Sequence, residues 1–507
     1  MLVEPYKVMP KVIFLIFTVA LFVRFLYFPD NINFAYDQAR DSFAALDILK
    51  GNFKVVGPPT TAGGNIFHGA GIYYVLAPIY FISGNNPEVA VAIFRVVNAL
   101  GVFLVFYVGS LIFGKVVGIL SAFLFAVSFE QSQYSLFFGH PALGDFTVLI
   151  FYLGLTLWIF QNRPIGFVIA LLGLGLTLQF EDANLTLILS LITYLLIFHK
   201  NLKLLNFKTI SLGIVAFLVA TSTFILSEIK YHFRMSQALL NIASHLGNNS
   251  SFNPVYLITA WERFIHDNFL ANKFLSPFIL LFLGICVAVM IKKKDLRVKT
   301  IFLSTWFLGG MIPHLLNPSF TYYYSPGATV SLLILAAFLI CQLFRKNKIL
   351  ATIIFGVIIF SNLSLVISQN YKGPNSDIVI QPGMLTVSQK QVLDFIYQKA
   401  EGQTFSVSAL TVPLNVKTTW DYLFNWYGAI KYHYLPVWIG AADGFPGNLR
   451  VETNRSKLPN KQFTIIEPTI GIGQRQVEDF YRIENYFTKV IEERSFGTIK
   501  VQERERI

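Results

Sequence analysis

The chain has 507 residues, 54% of them hydrophobic and 13% charged, with a mean hydropathy of +0.57 and a formal net charge of +12. A soluble domain carries roughly a quarter charged residues, so an ordinary soluble protein is excluded and an integral membrane protein is expected. The positive charge does not indicate nucleic acid: of 40 basic and 28 acidic residues, 16 and 14 fall after residue 370, which leaves 24 and 14 before it, where the excess serves membrane orientation.

Apolar runs long enough to span a bilayer, roughly 17 to 25 residues, lie near 12–28, 89–112, 116–133, 143–160, 165–180, 185–198, 209–227, 276–291, 300–316, 324–343 and 349–368, eleven in all. The first follows Lys7 and Lys11 and runs into Arg24, Phe28 and Pro29 without a small-residue cleavage pattern, which predicts an uncleaved helix. With the N-terminus cytoplasmic, one side receives Lys115, Arg163, Lys200, Lys203, Lys208, the cluster from Lys292 to Lys299, and Arg345, Lys346 and Lys348. That is the positive-inside pattern, and it sends Asp37, Asp41, Asp145, Glu181 and Glu228 to the opposite side. An odd number of spans also places residues 370–507 outside the cytoplasm. The expected organisation is a helical membrane part over 1–369, with a long first outer loop over 29–87, and an extracytoplasmic domain over 370–507.

Two carboxylates and a guanidinium, Asp37, Arg40 and Asp41, follow the first run directly. Ionisable groups at a bilayer rim are costly unless paired or working. On a helix, Asp37 and Asp41 share a face with Arg40 beside them; the bland alternative is Asp37 as the cap of a juxtamembrane helix. Further along the same loop come Gly57, Pro58, Pro59, a Gly-rich stretch, and His68, Gly69, Ala70, Gly71, Ile72, Tyr73 and Tyr74. A loop of this length is functional or disordered, and its aromatic content argues against disorder. His140 and Asp145 open the fourth span, Glu181 and Asp182 close the fifth, Glu228, Lys230, His232 and Arg234 follow the seventh, and Tyr323 opens the tenth. Each alone reads as a cap or interfacial residue; together they suggest a shared cavity at one end of the bundle.

In the C-terminal region residues 391–400 read as a helix and 404–410, 463–467 and 498–502 as strands, an α/β or α+β domain. Trp420, Tyr422, Phe424, Trp426, Tyr427, Tyr432 and Tyr434 are read first as packing and second as a carbohydrate platform. Cys286 and Cys341 lie in apolar runs and indicate neither disulfide nor metal site. No phosphate-binding Gly-rich loop and no dinucleotide fingerprint occur, which argues against a nucleotide cofactor.

The motifs YDQARD after the first helix, GPPTTAGGNIFHGAGIYYVLAP in the first loop, FRVVNAL entering the second span and LSEIKYHF after the seventh resemble the GT-C membrane glycosyltransferases, in the group related to protein O-mannosyltransferases and aminoarabinose lipid A transferases (glycosyltransferase family 39-like). The resemblance implies an all-α polytopic bundle with a separate extracytoplasmic domain. It also implies transfer of a sugar, with inversion, from a polyprenyl-phosphate donor to a lipid, glycan or protein acceptor on the outer face of the cell membrane. On that reading Asp37 is the catalytic base and Asp41 orients it or contacts the acceptor. Arg40, Lys230 and Arg234 face the donor phosphate, with Tyr323 as a further donor of hydrogen bonds. His68, His140, Asp145, Glu181, Glu228 and His232 complete the lining. Asp41 with Asp145 and His140 is a candidate divalent-metal set. The competing classes are a transporter or flippase, which needs a midplane site on interrupted helices, and a non-catalytic envelope assembly protein.

Overall fold

The computed structural model describes residues 5–60, 66–249, 254–316, 322–375, 381–440 and 444–507. Among them the helices Pro87–Phe113, His140–Gln161 and Lys348–Lys372 are long and apolar enough to cross a membrane. Two further expected spans are helix pairs bent at a break: Lys115–Val127 with Phe129–Leu136, at 53°, and Phe207–Ala220 with Ser222–Lys230, at 63°. Gly71–Ser83, Ile165–Phe180, Asp182–Ile197 and Ser276–Lys292 are apolar but shorter. Among the described residues the eleven continuous spans are therefore not confirmed, and at the two bent pairs the reason is that hydropathy counts apolar residues and cannot see where the helix turns. At the first break the cause is local. Ser128 accepts a hydrogen bond from the Gln131 amide, capping the second helix, and donates to Asn268 at 2.8 Å.

The bundle core is built on close helix contacts. A Cβ at Gly154 would stand 2.3 Å from the Ala170 nitrogen, and one at Gly173 2.4 Å from that of Phe151, so the His140–Gln161 and Ile165–Phe180 helices touch backbone to backbone, the role small residues take in membrane bundles. Arg24, fully buried near the end of the Pro5–Phe25 helix, donates to the carbonyls of Phe125 and Ala126 and to Asn98. It thus places its cation on the C-terminal end of the Lys115–Val127 helix, where the aligned peptide dipoles favour positive charge.

The first outer loop is not irregular. It contains the helices Tyr36–Leu49 and Gly71–Ser83. The C-terminal region forms strands β1 (Phe405–Leu410), β2 (Val437–Ile439), β3 (Val451–Glu452), β4 (Lys461–Ile466), β5 (Thr488–Phe496) and β6 (Ile499–Arg506) in one sheet of order β3-β2-β1-β4-β6-β5. The pairs β1/β2, β2/β3 and β1/β4 are parallel, and β4/β6 and β5/β6 antiparallel. An apolar core shared by this sheet, the Thr386–Ala400 helix and the first-loop helices joins the two regions. The join is also hydrogen bonded: Phe34 donates to Met384, Thr386 to Ile32, Gln389 to Phe34, and Tyr422 Oη to Asn85. Trp420, Tyr422, Phe424 and Trp426 are buried in that core, so these four rings pack rather than form a platform. Cys286 and Cys341 are both free thiols.

Candidate active site

Asp37 lies in the first turn of the Tyr36–Leu49 helix, where the helix dipole stabilises a carboxylate. The helix entry is closed by Gln38, whose Oε1 accepts from the Ala35 amide at 3.1 Å while its Nε2 donates to the Phe138 carbonyl at 2.9 Å, pinning the helix to the segment before His140. Arg40 bridges both acids: Nη1 is 2.6 Å from Asp37 Oδ1, and Nε and Nη2 are each 2.8 Å from Asp41 Oδ1. Exposure separates the two carboxylates, 54% for the Asp37 side chain against 6% for Asp41. Burial raises Asp41 above the usual carboxylate range despite the opposing pull of Arg40. Burial alone would lower Arg40, yet Asp41 and then Asp37 outweigh it and hold the guanidinium firmly charged. One carboxylate can thus meet a ligand and the other positions the cation between them. Arg40 engages Asp37 through Oδ1.

In the first loop the segment 58–60 pairs with 66–68. His68 donates its amide to the Pro58 carbonyl at 2.9 Å and Thr60 donates to Ile66 at 3.2 Å. A Cβ at Gly57 would fall 2.3 Å from the Gly69 carbonyl oxygen, and one at Gly69 2.6 Å from that of Gln179. Gly57→Ala is therefore expected to destabilise the folded protein by about 1–3 kcal/mol, the usual cost of overpacking, read as a lowered thermal midpoint; an unchanged midpoint would show that this backbone crossing is looser than the distances state. Thr223 locks the crossing from a third helix, accepting from the Ala70 amide and from Gln179 Nε2.

This fold brings His68 against the opening of the His140–Gln161 helix. The two imidazole rings lie 4.0 Å apart. Asp182 Oδ1 is 3.1 Å from His68 Nδ1, and Glu181 Oε2 is 3.5 Å from His140 Nδ1. Burial, then the neighbouring His140 and Arg40, push His68 well below the usual histidine range. His140 in turn lies within electrostatic reach of Asp41, Asp37 and Arg40, which places both clusters in one neighbourhood. One ligand atom each of His68, His140 and Glu181 lies within 4.8 Å of the others, a set able to hold a metal ion.

The remaining candidates lie elsewhere. Asp145 accepts from Asn98 at 3.2 Å and from Gln131 at 3.4 Å, in the buried network that begins at Arg24, and it is not in the His140 cluster that could hold a metal. Glu228 caps the Arg234–Asn249 helix by accepting from the amides of Met235 and Ser236. Lys230, His232 and Arg234 are exposed around that turn, Lys230 over the Tyr231 ring at 5.4 Å. The Tyr323 side chain lies outside the described residues. The sequence reading gave no role to Tyr73, which sits beside Arg40 and Asp41, nor to Glu130, buried and bonded to Asn268. A lone acid inside an apolar run was the available signal for Glu130.

The family described as dolichyl-phosphate-mannose-protein mannosyltransferase matches residues 68–226, which include His68, His140 and Glu181 but not Asp37 or Asp41. No curated protein sequence matches the chain. Among solved structures, ArnT from Cupriavidus metallidurans bound to undecaprenyl phosphate is similar over 97% of both chains, with a TM-score of 0.58 at 13% identity. The Archaeoglobus fulgidus oligosaccharyltransferase tethered to an acceptor peptide containing the NVT sequon is similar over 85% of this chain and 64% of its own, with a TM-score of 0.53 at 14% identity. The same enzyme in complex with Zn and sulfate covers 84% and 62%, also with a TM-score of 0.53. The chain thus carries a sequence pattern similar to that family's over residues 68–226, on a fold similar to those of ArnT and the archaeal oligosaccharyltransferase.

Proposed function

We propose that the protein is an inverting glycosyltransferase that moves a sugar from a polyprenyl-phosphate donor to an acceptor hydroxyl at the outer face of the cell membrane, with residues 370–507 on that same side. The observation that supports this most is the unequal acid pair: Asp37 is exposed and tied through one oxygen to Arg40, which is anchored in turn by buried Asp41. Such a carboxylate accepts the acceptor's proton on its other oxygen. The acceptor oxygen then bonds to the anomeric carbon as the carbon–oxygen bond to phosphate breaks, and polyprenyl phosphate leaves with the electron pair. ArnT was crystallised with undecaprenyl phosphate, and a lipid carrier of this kind suits a site at the rim of an apolar bundle.

The negative charge of the leaving phosphate calls for a cation. Arg40 already serves two carboxylates, so we assign this role to the exposed Lys230, at the end of the Ser222–Lys230 helix whose Thr223 accepts from the Ala70 amide of the first loop, and to the exposed Arg234 that opens the next helix. Changing both to Gln should weaken donor binding by roughly tenfold or more, since a hydrogen bond to a charged group is worth about 1.5–3 kcal/mol. The donor KM should rise and kcat should fall with it, because the phosphate gains negative charge as its bond to the sugar breaks; an unchanged KM and kcat would assign these side chains to lipid headgroups instead.

The direct test is incubation of the purified protein with a panel of polyprenyl-phosphate sugars and acceptors, following release of polyprenyl phosphate with and without a chelator. Release with one donor, abolished in Asp37→Asn, supports the reading. Movement of intact lipid across a vesicle bilayer with no release would favour a flippase.

A further inference from the structure

The His68, His140 and Glu181 cluster has a chemistry that sugar transfer by Asp37 does not use. His68 and Glu181 are buried and the His140 side chain is 17% exposed, and His68 Nδ1, His140 Nδ1 and Glu181 Oε2 are buried atoms without a hydrogen-bond partner. Asp182 approaches His68 Nδ1 within 3.1 Å yet too far off line to bond. A buried polar atom left unmet costs about 1–3 kcal/mol, and three of them converging on one space need a common partner. Each imidazole can turn a lone pair toward that space in one tautomer, and Glu181 offers a carboxylate oxygen.

We infer that His68, His140 and Glu181 bind one divalent transition-metal ion of the zinc class, which fastens the first outer loop to the helical bundle. The three ligands come from the loop before the Gly71–Ser83 helix, from the start of the His140–Gln161 helix and from the turn after the Ile165–Phe180 helix, so the ion joins segments far apart in sequence. Their ligand atoms lie within 4.8 Å of one another. Ligands about 2.0–2.1 Å from a tetrahedral zinc stand roughly 3.3–3.5 Å apart, so a closing of the order of 1 Å completes the site. Imidazole nitrogens select zinc, nickel, copper or iron over magnesium and calcium, which prefer oxygen alone. Neither Asp37 nor Asp41 belongs to this set, so the ion is a fastener beside the reacting carboxylate, independent of whether the chain transfers sugar.

The full chain in detergent is stripped with a chelator, desalted, and titrated separately with Zn2+ and Mg2+, with bound metal counted by mass spectrometry and the thermal midpoint followed. One zinc per chain, no retained magnesium, and a midpoint raised by zinc are expected. His140→Gln and Glu181→Gln should each weaken zinc binding by at least about tenfold, the lower end of what even outer-shell partners cost, and should leave the midpoint insensitive to zinc. Asp37→Asn should bind zinc as the parent does. Zinc content well below one per chain in the parent, or undiminished zinc in either cluster variant while folded, overturns the assignment. If only Asp37→Asn loses zinc, the ion belongs to the acidic pair and the assignment equally fails.

Discussion

Replacing Asp37 by Asn is expected to lower kcat by about 10²–10⁴-fold, the contribution of a positioned general base, while the donor KM stays near its parent value. The amide keeps the size of the side chain and one oxygen that can accept from Arg40 Nη1, now 2.6 Å away, so the Tyr36–Leu49 helix should stand. At 54% exposure the Asp37 end of the ion pair is screened by water, and surface changes of this kind shift stability by no more than about 0.5 kcal/mol. What is lost is the second lone-pair-bearing oxygen with its charge, which only the transition state needs. A fall in kcat with binding retained marks an interaction made in the transition state alone. Undiminished release of polyprenyl phosphate by a folded Asp37→Asn variant would remove the base from Asp37 and with it the proposed mechanism.

The acidic pair was legible because it is a local pattern. Positions 37, 40 and 41 are three and four apart, and one helix turn suffices to bring them together. The metal set Asp41, Asp145 and His140 was misleading for an equally local reason. Residues five apart on a helix point about 140° away from one another at 3.6 residues per turn, so His140 and Asp145 cannot both face one ion; Asp145 turns inward to Asn98 and Gln131. Nothing in sequence spacing could bring His68 to His140, since that meeting rests on the backbone crossing of Gly57, Gly69 and Gln179. In the C-terminal region the apolar strands β1, β4 and β6 were readable. β5 was not, because it is an edge strand whose outward charges, among them Lys489, Glu492, Glu493 and Arg494, hide the alternation and guard the edge against pairing. β2 and β3, of three and two residues, are too short to show a period.

The largest effect on stability should come from Arg40→Met, which keeps a long apolar stem and removes the cation. Asp41, 6% exposed, then has no opposite charge and faces the like charge of Asp37. Breaking a buried pair from one side costs about 3–5 kcal/mol, because the stranded charge is left desolvated. The pH dependence follows from Asp41, whose folded-state affinity for its proton is already raised by burial and rises further without Arg40. Below the unfolded value, about 3.9 for an aspartate, both states hold the proton and the deficit is smallest. As pH climbs the unfolded chain releases its proton first, and stability falls until the folded carboxyl also ionises. The variant should therefore be less impaired at about pH 5 than at about pH 8, seen in thermal or denaturant unfolding in detergent. Adding Asp41→Asn removes the stranded charge, so the double variant should recover at least about 1 kcal/mol relative to the sum of the single losses, within the range measured for contacting residues. Strictly additive losses, or an Arg40→Met deficit that grows on acidification, would mean that Arg40 supports the helix by packing over Tyr36, 5.6 Å away, and not by neutralising Asp41. Asp37 would then lack the anchored partner on which its role as base depends.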